Sequence, residues 1–297
     1  MHIAKPWASI DSPQEIYELH GMLGPEEREA LFWIGRNYCC GKGHIIDAGA
    51  FLGTSAFSLA SGLAHSARDV SQSRIFSYDL FRADEEYVAA YIAQKFHDFR
   101  QGESFFEIYQ SQIEKYAHLI VPIQGDFSKI AWLKLPIEVL FVDLDKSSSL
   151  HKTFLLEYYP YIIPNHGILA HQDWYLSRHP WLHFGMEYLE PYFTIIDPLV
   201  KWCTRLFKLE RSIPDAELEL LASGGLGYDR EISLLNRLIE KERGNMRSMM
   251  RLSKVIHMLS HGEWDHAHDE LRAVSSEIDN SDDSLRSEFN YVQSRFK

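Results

Sequence analysis

Cysteine is scarce in this chain: Cys39, Cys40 and Cys203 are the only three among 297 residues. An odd count that includes a vicinal pair makes no disulfide framework, which excludes small stapled folds and fits a reducing compartment. Long apolar runs are also lacking. No segment offers the roughly 18 uncharged residues that a membrane-spanning helix needs, and Met1-His2-Ile3-Ala4-Lys5-Pro6-Trp7 has no apolar stretch suited to a signal peptide. The expectation is a soluble, untargeted, cytoplasmic protein with no membrane partner. Clustered basic charge is missing as well. With 30 basic against 42 acidic side chains, the formal charge is -12, whereas phosphate-backbone binding needs grouped cations. Nucleic acid is therefore not an expected partner.

What is present is apolar material, 45% of the residues, enough for a full α/β core with a smaller unit left over. Pro25-Glu26-Glu27-Arg28-Glu29 followed by Ala30-Leu31-Phe32-Trp33-Ile34 places proline and acids where a helix begins, ahead of an apolar face. Short apolar runs then recur at 44–46, 74–78, 119–123, 138–142 and 168–171, with helix-length stretches between them. That is the βαβ pattern of a mostly parallel sheet covered on both faces. Phe193 to Pro198 and Trp202 to Leu209 are two strand-like segments joined too closely for a parallel crossover, so this pair is expected to be antiparallel. From about Ser212 the texture becomes charged and helical, broken at Ser223-Gly224-Gly225 and at 279–283, which predicts about four helices. The expected organisation is a helical segment over residues 1–43, an α/β domain over 44–210 and an all-α appendage over 211–297.

Asp47-Ala48-Gly49-Ala50-Phe51-Leu52-Gly53 has glycines where a strand turns sharply into a helix and its backbone nears a ligand. Side chains at Gly49 and Gly53 are expected to block that approach. Thr54 and Ser55 follow, where hydroxyls cap free N–H groups or meet a cofactor carboxylate. Ile75-Phe76-Ser77-Tyr78-Asp79 ends the next strand in an acid able to accept two ribose hydroxyls, of either S-adenosylmethionine or NAD. The third strand ends Gln124-Gly125-Asp126, with an acid placed to read an adenine amino group.

The stretch from Asp47 to Ser55 resembles the acid-x-Gly-Ala-aromatic-x-Gly-x-Ser turn of the catechol and caffeoyl-coenzyme A O-methyltransferases, and macrocin-type sugar O-methyltransferases look similar there. The likeness runs through Asp79, Asp126 and Val142-Asp143-Leu144-Asp145-Lys146 to Gly167-Ile168-Leu169-Ala170, covering about residues 40 to 210. It implies a class I S-adenosylmethionine-dependent methyltransferase, with a Rossmann-like sheet closed by an antiparallel strand. By that resemblance Asp47, Gly49, Ala50, Phe51, Gly53 and Ser55 line the methionine part of the cofactor, and Asp79 holds the ribose.

The same resemblance gives Asp143 a divalent metal, such as magnesium, and a place beside the cofactor, and makes Lys146 the general base. The pairing is chemically sensible: a hard cation lowers the acceptor hydroxyl's pKa and a desolvated lysine takes its proton. At the fifth strand, His171-Gln172-Asp173-Trp174 stands where these families carry two adjacent oxygen ligands. Asp173 matches and Gln172 replaces an acid, which weakens the expected metal site. Without metal, His171 or His151 becomes a candidate base. His179 and His183 have helical metal-pair spacing, interrupted by Pro180. Trp174, Tyr175, Trp181, Phe184 and Tyr188 are either a pocket wall or core, and residues 82–118 form either an acceptor lid or homodimer contact, or a pair of surface helices. The leading expectation is O-methylation of a small hydroxylated acceptor. The alternatives are a cofactor-binding interaction protein without turnover and an NAD-dependent oxidoreductase, the latter marked by a terminal strand parallel to its neighbours.

Overall fold

The computed structural model describes residues 5–200, 203–278 and 282–296, without the side chains of residues 197–199. Trp202 and residues 279–281, which the sequence reading assigned to a strand start and a helix break, lie outside the described residues. Seven strands form one sheet: β1 (His44–Ala48), β2 (Ile75–Asp79), β3 (Ile120–Gln124), β4 (Ile137–Val142), β5 (Ile168–His171), β6 (Phe193–Val200) and β7 (Thr204–Leu209). Their order is β3-β2-β1-β4-β5-β7-β6. The pairs among β1 to β5 are parallel, while β7 runs antiparallel to both β5 and β6. The sheet is thus the Rossmann-like arrangement expected of class I methyltransferases, and the parallel terminal strand that would mark a dinucleotide oxidoreductase is not formed.

Alternation along each strand decides what covers it. Ile45, Val139, Phe141 and Ile168 face a cluster with Phe32, Leu59 and Ala60, from α2 (Pro25–Trp33) and α3 (Thr54–Ala64). Ahead of them a short helix, α1 (Glu15–Glu18), seats Ile16 in the same cluster. Ile46, Leu140 and Leu169 face the opposite cluster. Helix α3 is buried from Thr54 to Leu63, wedged between sheet and α2. Helix α2 begins as its sequence predicts, with Pro25 in the first turn and Glu27 accepting the Gly24 N–H at 2.9 Å.

Residues 82–118 contain two helices, α4 (Glu86–Phe96) and α5 (Phe106–Ile113), and a six-residue α6 (Ser148–Thr153) follows β4. Helix α7 (Pro180–Tyr188) starts after His179. Among the described residues the C-terminal part holds five helices rather than about four: α8 (Asp215–Ala222), α9 (Tyr228–Lys241), α10 (Gly244–Ser260), α11 (Trp264–Ser275) and α12 (Asp283–Ser294). Ser223-Gly224-Gly225 does fall in a turn, between α8 and α9. These helices share one apolar cluster with the sheet, from Ile46 and Leu140 through Trp174 to Met250, Val255 and Val292. Polar ties reinforce the contact: Glu288 of α12 accepts from the Ser177 N–H and hydroxyl at 3.0 and 2.6 Å, and Arg205 of β7 pairs with Glu242 at 2.8 Å. Among the described residues no helix is long and apolar enough to cross a membrane.

Candidate active site

A cleft of about 610 Å³ opens where the carboxyl ends of β1, β2, β4 and β5 meet, the usual ligand position in an open α/β sheet. The turn after β1 forms its floor. Gly49 adopts φ 103°, and a Cβ there would lie 3.0 Å from the backbone of Asp143, so glycine lets the β1 and β4 ends pass each other. Gly53 adopts φ 92°, but a Cβ there would strike Ile113 and Tyr109 of α5. Its smallness therefore serves helix packing rather than the ligand approach that the sequence reading expected. Between them Phe51 holds the left-handed conformation, φ 44°, and its N–H donates to Asp79 Oδ2 at 2.8 Å.

Asp79 organises this corner. Its other oxygen accepts the N–H of Phe81, a second left-handed residue, at 2.8 Å. A carboxylate offers about four lone-pair sites, more than these bonds occupy, and Asp79 lines the cleft. Burial raises its pKa, opposed by those backbone N–H groups. Thr54 and Ser55 line the cleft beside Gly49, Ala50 and Phe51, as the spacing implied.

Four predicted residues stand apart from the cleft wall, Gly53 being one of them. Asp47 lies beneath the floor, fully buried, accepting the Ser77 hydroxyl at 2.7 Å, and burial pushes its pKa from 3.8 to about 6. Gly125 and Asp126 are outside the lining. The Asp126 side chain, 41% exposed, is occupied locally: it accepts from the Ser128 N–H and hydroxyl and pairs with Lys129 at 3.0 Å. A residue already capping its own turn gains little by reading an adenine across solvent.

At the far wall Lys146 donates to Asp143 Oδ1 at 2.9 Å and to Asp173 Oδ2, and Asp173 itself is left-handed at φ 60°. Burial lowers the lysine's pKa, but the two carboxylates more than reverse this and hold it charged. Burial raises Asp143, and Asp173 and Glu27 reinforce this against Lys146, leaving the carboxyl well above its ordinary range. Asp173 goes the other way: burial raises it, and the closer attraction of Lys146 wins. Gln172 lines the cleft alongside, its amide nitrogen 3.7 Å from Cys203 Sγ. The predicted ligand set of Asp143, Gln172 and Asp173 thus comes together, yet the Lys146 ammonium already bridges its two carboxylates.

The histidines resolve differently. His171 is fully buried against the Tyr159 hydroxyl at 2.9 Å, burial drops its pKa to about 3, and it does not line the cleft. His151 pairs with Asp145 at 2.5 Å, away from the cleft. His183 bonds Ser253 and the Trp174 carbonyl, at 2.7 and 2.6 Å, so it is no half of a metal pair with His179. Trp174 and Tyr175 are core residues and do not line the cleft. Sequence reasoning missed the N-terminal contribution: Met22, Leu23, Gly24 and Glu27 line the cleft. Glu27 was legible only as a helix-start acid, and its position over the site is set by Thr204, whose hydroxyl donates to it at 2.9 Å across the fold. Cys203 was missed too; it donates to Asp173 Oδ1 at 3.2 Å. From residues 82–118, Arg82, Tyr87, Val88 and Phe105 reach the rim.

No family model and no curated protein matches the chain. Among solved structures it is similar to the O-methyltransferase NovP, with 16% identity over 65% of this chain and 83% of that one, at a TM-score of 0.47. It is also similar to the methyltransferase PaMTH1 of Podospora anserina, solved with S-adenosylhomocysteine bound, with 12% identity over 67% and 89% of the two chains, at 0.44. A third is CalS11, a TDP-rhamnose 3'-O-methyltransferase, with 15% identity over 61% and 76%, at 0.43.

Proposed function

We propose that this protein is an S-adenosylmethionine-dependent methyltransferase that methylates a hydroxyl of a small acceptor. One observation carries the reading: the turn at Gly49 to Phe51, the acid Asp79 and the Asp143–Lys146–Asp173 cluster converge on a single cleft of about 610 Å³. The turn's backbone and the Thr54 and Ser55 hydroxyls suit the methionine part, and the free lone pairs of Asp79 suit a ribose diol.

The acceptor hydroxyl then meets the charged wall. A lysine clamped by two carboxylates is a poor base near neutrality, because a general base works best with a pKa near the operating pH. Asp143, whose raised pKa brings it toward that range, fits the task better. In this reading Asp143 would take the proton of the acceptor hydroxyl, and S-adenosylmethionine held by the Gly49–Phe51 turn and Asp79 would supply the methyl group to that oxygen, leaving as the neutral thioether. Lys146 fixes the oxygen and steadies its developing negative charge. In-line placement supplies much of the remaining rate.

A divalent cation does not suit these residues: it would have to displace the ammonium that bridges Asp143 and Asp173, next to an amide where an acid would strengthen the site. No step is routed through one. The same clamp favours a second reading, a cofactor-binding protein without turnover, in which Lys146 and its acids are purely structural. Labelled S-adenosylmethionine offered with a panel of sugars, glycosides and phenols separates the two. Label in an acceptor supports the transferase; cofactor binding with no acceptor labelled leaves the binding protein.

A further inference from the structure

The opposite edge of the sheet holds a group of side chains that the cleft does not use. Cys40 lies in the loop before β1, Glu138 is the second residue of β4, and His166 sits in the turn before β5. All three gather at the amino ends of the parallel strands. Their candidate ligand atoms lie within 4.8 Å of one another. We infer that these three residues form a binding site for a divalent cation of the zinc class.

Three observations carry this. The donors are a thiol, an imidazole and a carboxylate, a set that selects zinc-like ions over magnesium or calcium. Cys40 Sγ and His166 Nε2 are 3.5 Å apart; a tetrahedral ion with bonds of about 2.3 Å to sulfur and about 2.0 Å to nitrogen holds those atoms at about that same separation. Glu138 is fully buried, and only one of its oxygens is occupied, accepting from the Cys40 N–H at 2.7 Å and His166 Nε2 at 2.6 Å. Its Oε2 has no partner. A buried carboxylate with an orphan oxygen is costly unless paired or coordinated to a metal, and a cation seated against Oε2 removes that cost.

The surroundings fit a ligand shell. Tyr38 stacks on the His166 ring, centroids 5.1 Å apart and planes 15° from parallel, and its hydroxyl donates to the His166 carbonyl. That fixes the imidazole's orientation, as groups behind metal ligands commonly do. Cys40 and His166 are both partly exposed, which leaves an entry path, and a fourth position remains for water. Binding would release the Cys40 proton, because the thiolate is the ligand, and would exchange the His166 Nε2–H bond to Glu138 Oε1 for the metal, the neutral ring keeping its one proton on Nδ1. A second cluster, Glu231, His257 and His261, contains no thiol, so sulfur ligation distinguishes the two.

Tag-free, chelator-stripped protein titrated with Zn²⁺ and Co²⁺ tests the assignment independently of any methyltransferase activity. The expected result is one tight equivalent, with a near-ultraviolet thiolate-to-cobalt charge-transfer band. Cys40→Ser should remove the band and weaken binding by at least about 100-fold, beyond what loss of an outer-shell partner costs, and His166→Gln should weaken it similarly. Zn²⁺ should also shield Cys40 of the unmutated protein from alkylation, read by peptide mass mapping, a measurement that needs no variant to fold. No binding by folded protein, binding without the thiolate band, a band that survives Cys40→Ser, or alkylation of Cys40 unchanged by Zn²⁺ would each overturn it.

Discussion

The two ends of the sheet treat buried charge in opposite ways. At the carboxyl ends, Asp79, Asp143 and Asp173 border an open cleft, and their partners are backbone N–H groups, the Cys203 thiol and one lysine with its side chain 43% exposed. At the amino ends, Glu138 is sealed from solvent and faces an imidazole and a thiol. The first arrangement keeps lone pairs available to an incoming organic ligand. The second leaves one oxygen that only a small partner can reach. Parallel strands make this possible, since every loop after a strand collects at one end and every loop before a strand at the other.

The largest expected effect breaks the carboxyl end alone. Lys146→Gln should lower methyl transfer on the order of 10²- to 10⁴-fold, the range typical of lost proton-transfer or charge-stabilising groups. Removing the cation should also raise the Asp143 pKa further, moving the acidic limb of the rate profile to higher pH. A lysine acting as base would give the reverse signature: a wild-type rate still climbing at alkaline pH and no acidic limb left in the variant. Metal binding at the amino end should not change.

A second comparison sets Asp47 against its exposed counterparts. Its pKa is raised from 3.8 to about 6, so the buried carboxyl favours folding while protonated and loses that advantage as pH rises through about 6. About two units at about 1.4 kcal/mol each give a cost of about 3 kcal/mol above that window. Asp47→Asn, which keeps an acceptor for Ser77, should therefore raise the unfolding free energy by up to about 3 kcal/mol at pH 8 and leave it nearly unchanged at pH 4. Denaturant melts at the two pH values read this directly. Equal effects at both would place the cost elsewhere.

Gly49→Ala should cost about 1 to 3 kcal/mol, the price of a left-handed backbone with a Cβ pressed on the Asp143 carbonyl, and should weaken cofactor binding along with stability. Thermal melts with and without cofactor separate the two losses. Smallest of all is Asp126→Ala. Its side chain serves Ser128 and Lys129 at the surface, so cofactor affinity should change less than about threefold and stability only slightly. A larger drop in affinity would restore the adenine role.

Much of this was readable along the chain. The runs at 44–46, 74–78 and 138–142 are strands because continuous apolar residues bounded by turns have no other good place than a doubly covered sheet, and the short link after Phe193 to Pro198 left only an antiparallel partner for β7. Asp79 was readable because strand ends in such a sheet converge, and Asp143, Lys146 and Asp173 through the resemblance that their motifs carry. Illegible were contacts between distant segments. Glu27 enters the cleft through Thr204, 177 positions away, and nothing local to Cys203 marks it as a neighbour of Asp173. Local chemistry was also incomplete: Gly53 clears α5, and the Asp126 carboxylate bonds Ser128 in its own turn, contacts that neither motif announced. Lys146 took its role from the resemblance, but its charge state depends on two carboxylates, one of them 27 residues away.

Calorimetric titration of S-adenosylmethionine into the wild-type protein and into Asp79→Ala tests the cleft most directly. Wild type should bind one equivalent, and the variant should bind on the order of 100-fold more weakly, since about two hydrogen bonds to a charged group are lost, each worth about 1.5 kcal/mol or more. No binding to folded wild-type protein, or undiminished binding to folded Asp79→Ala, would contradict the assignment.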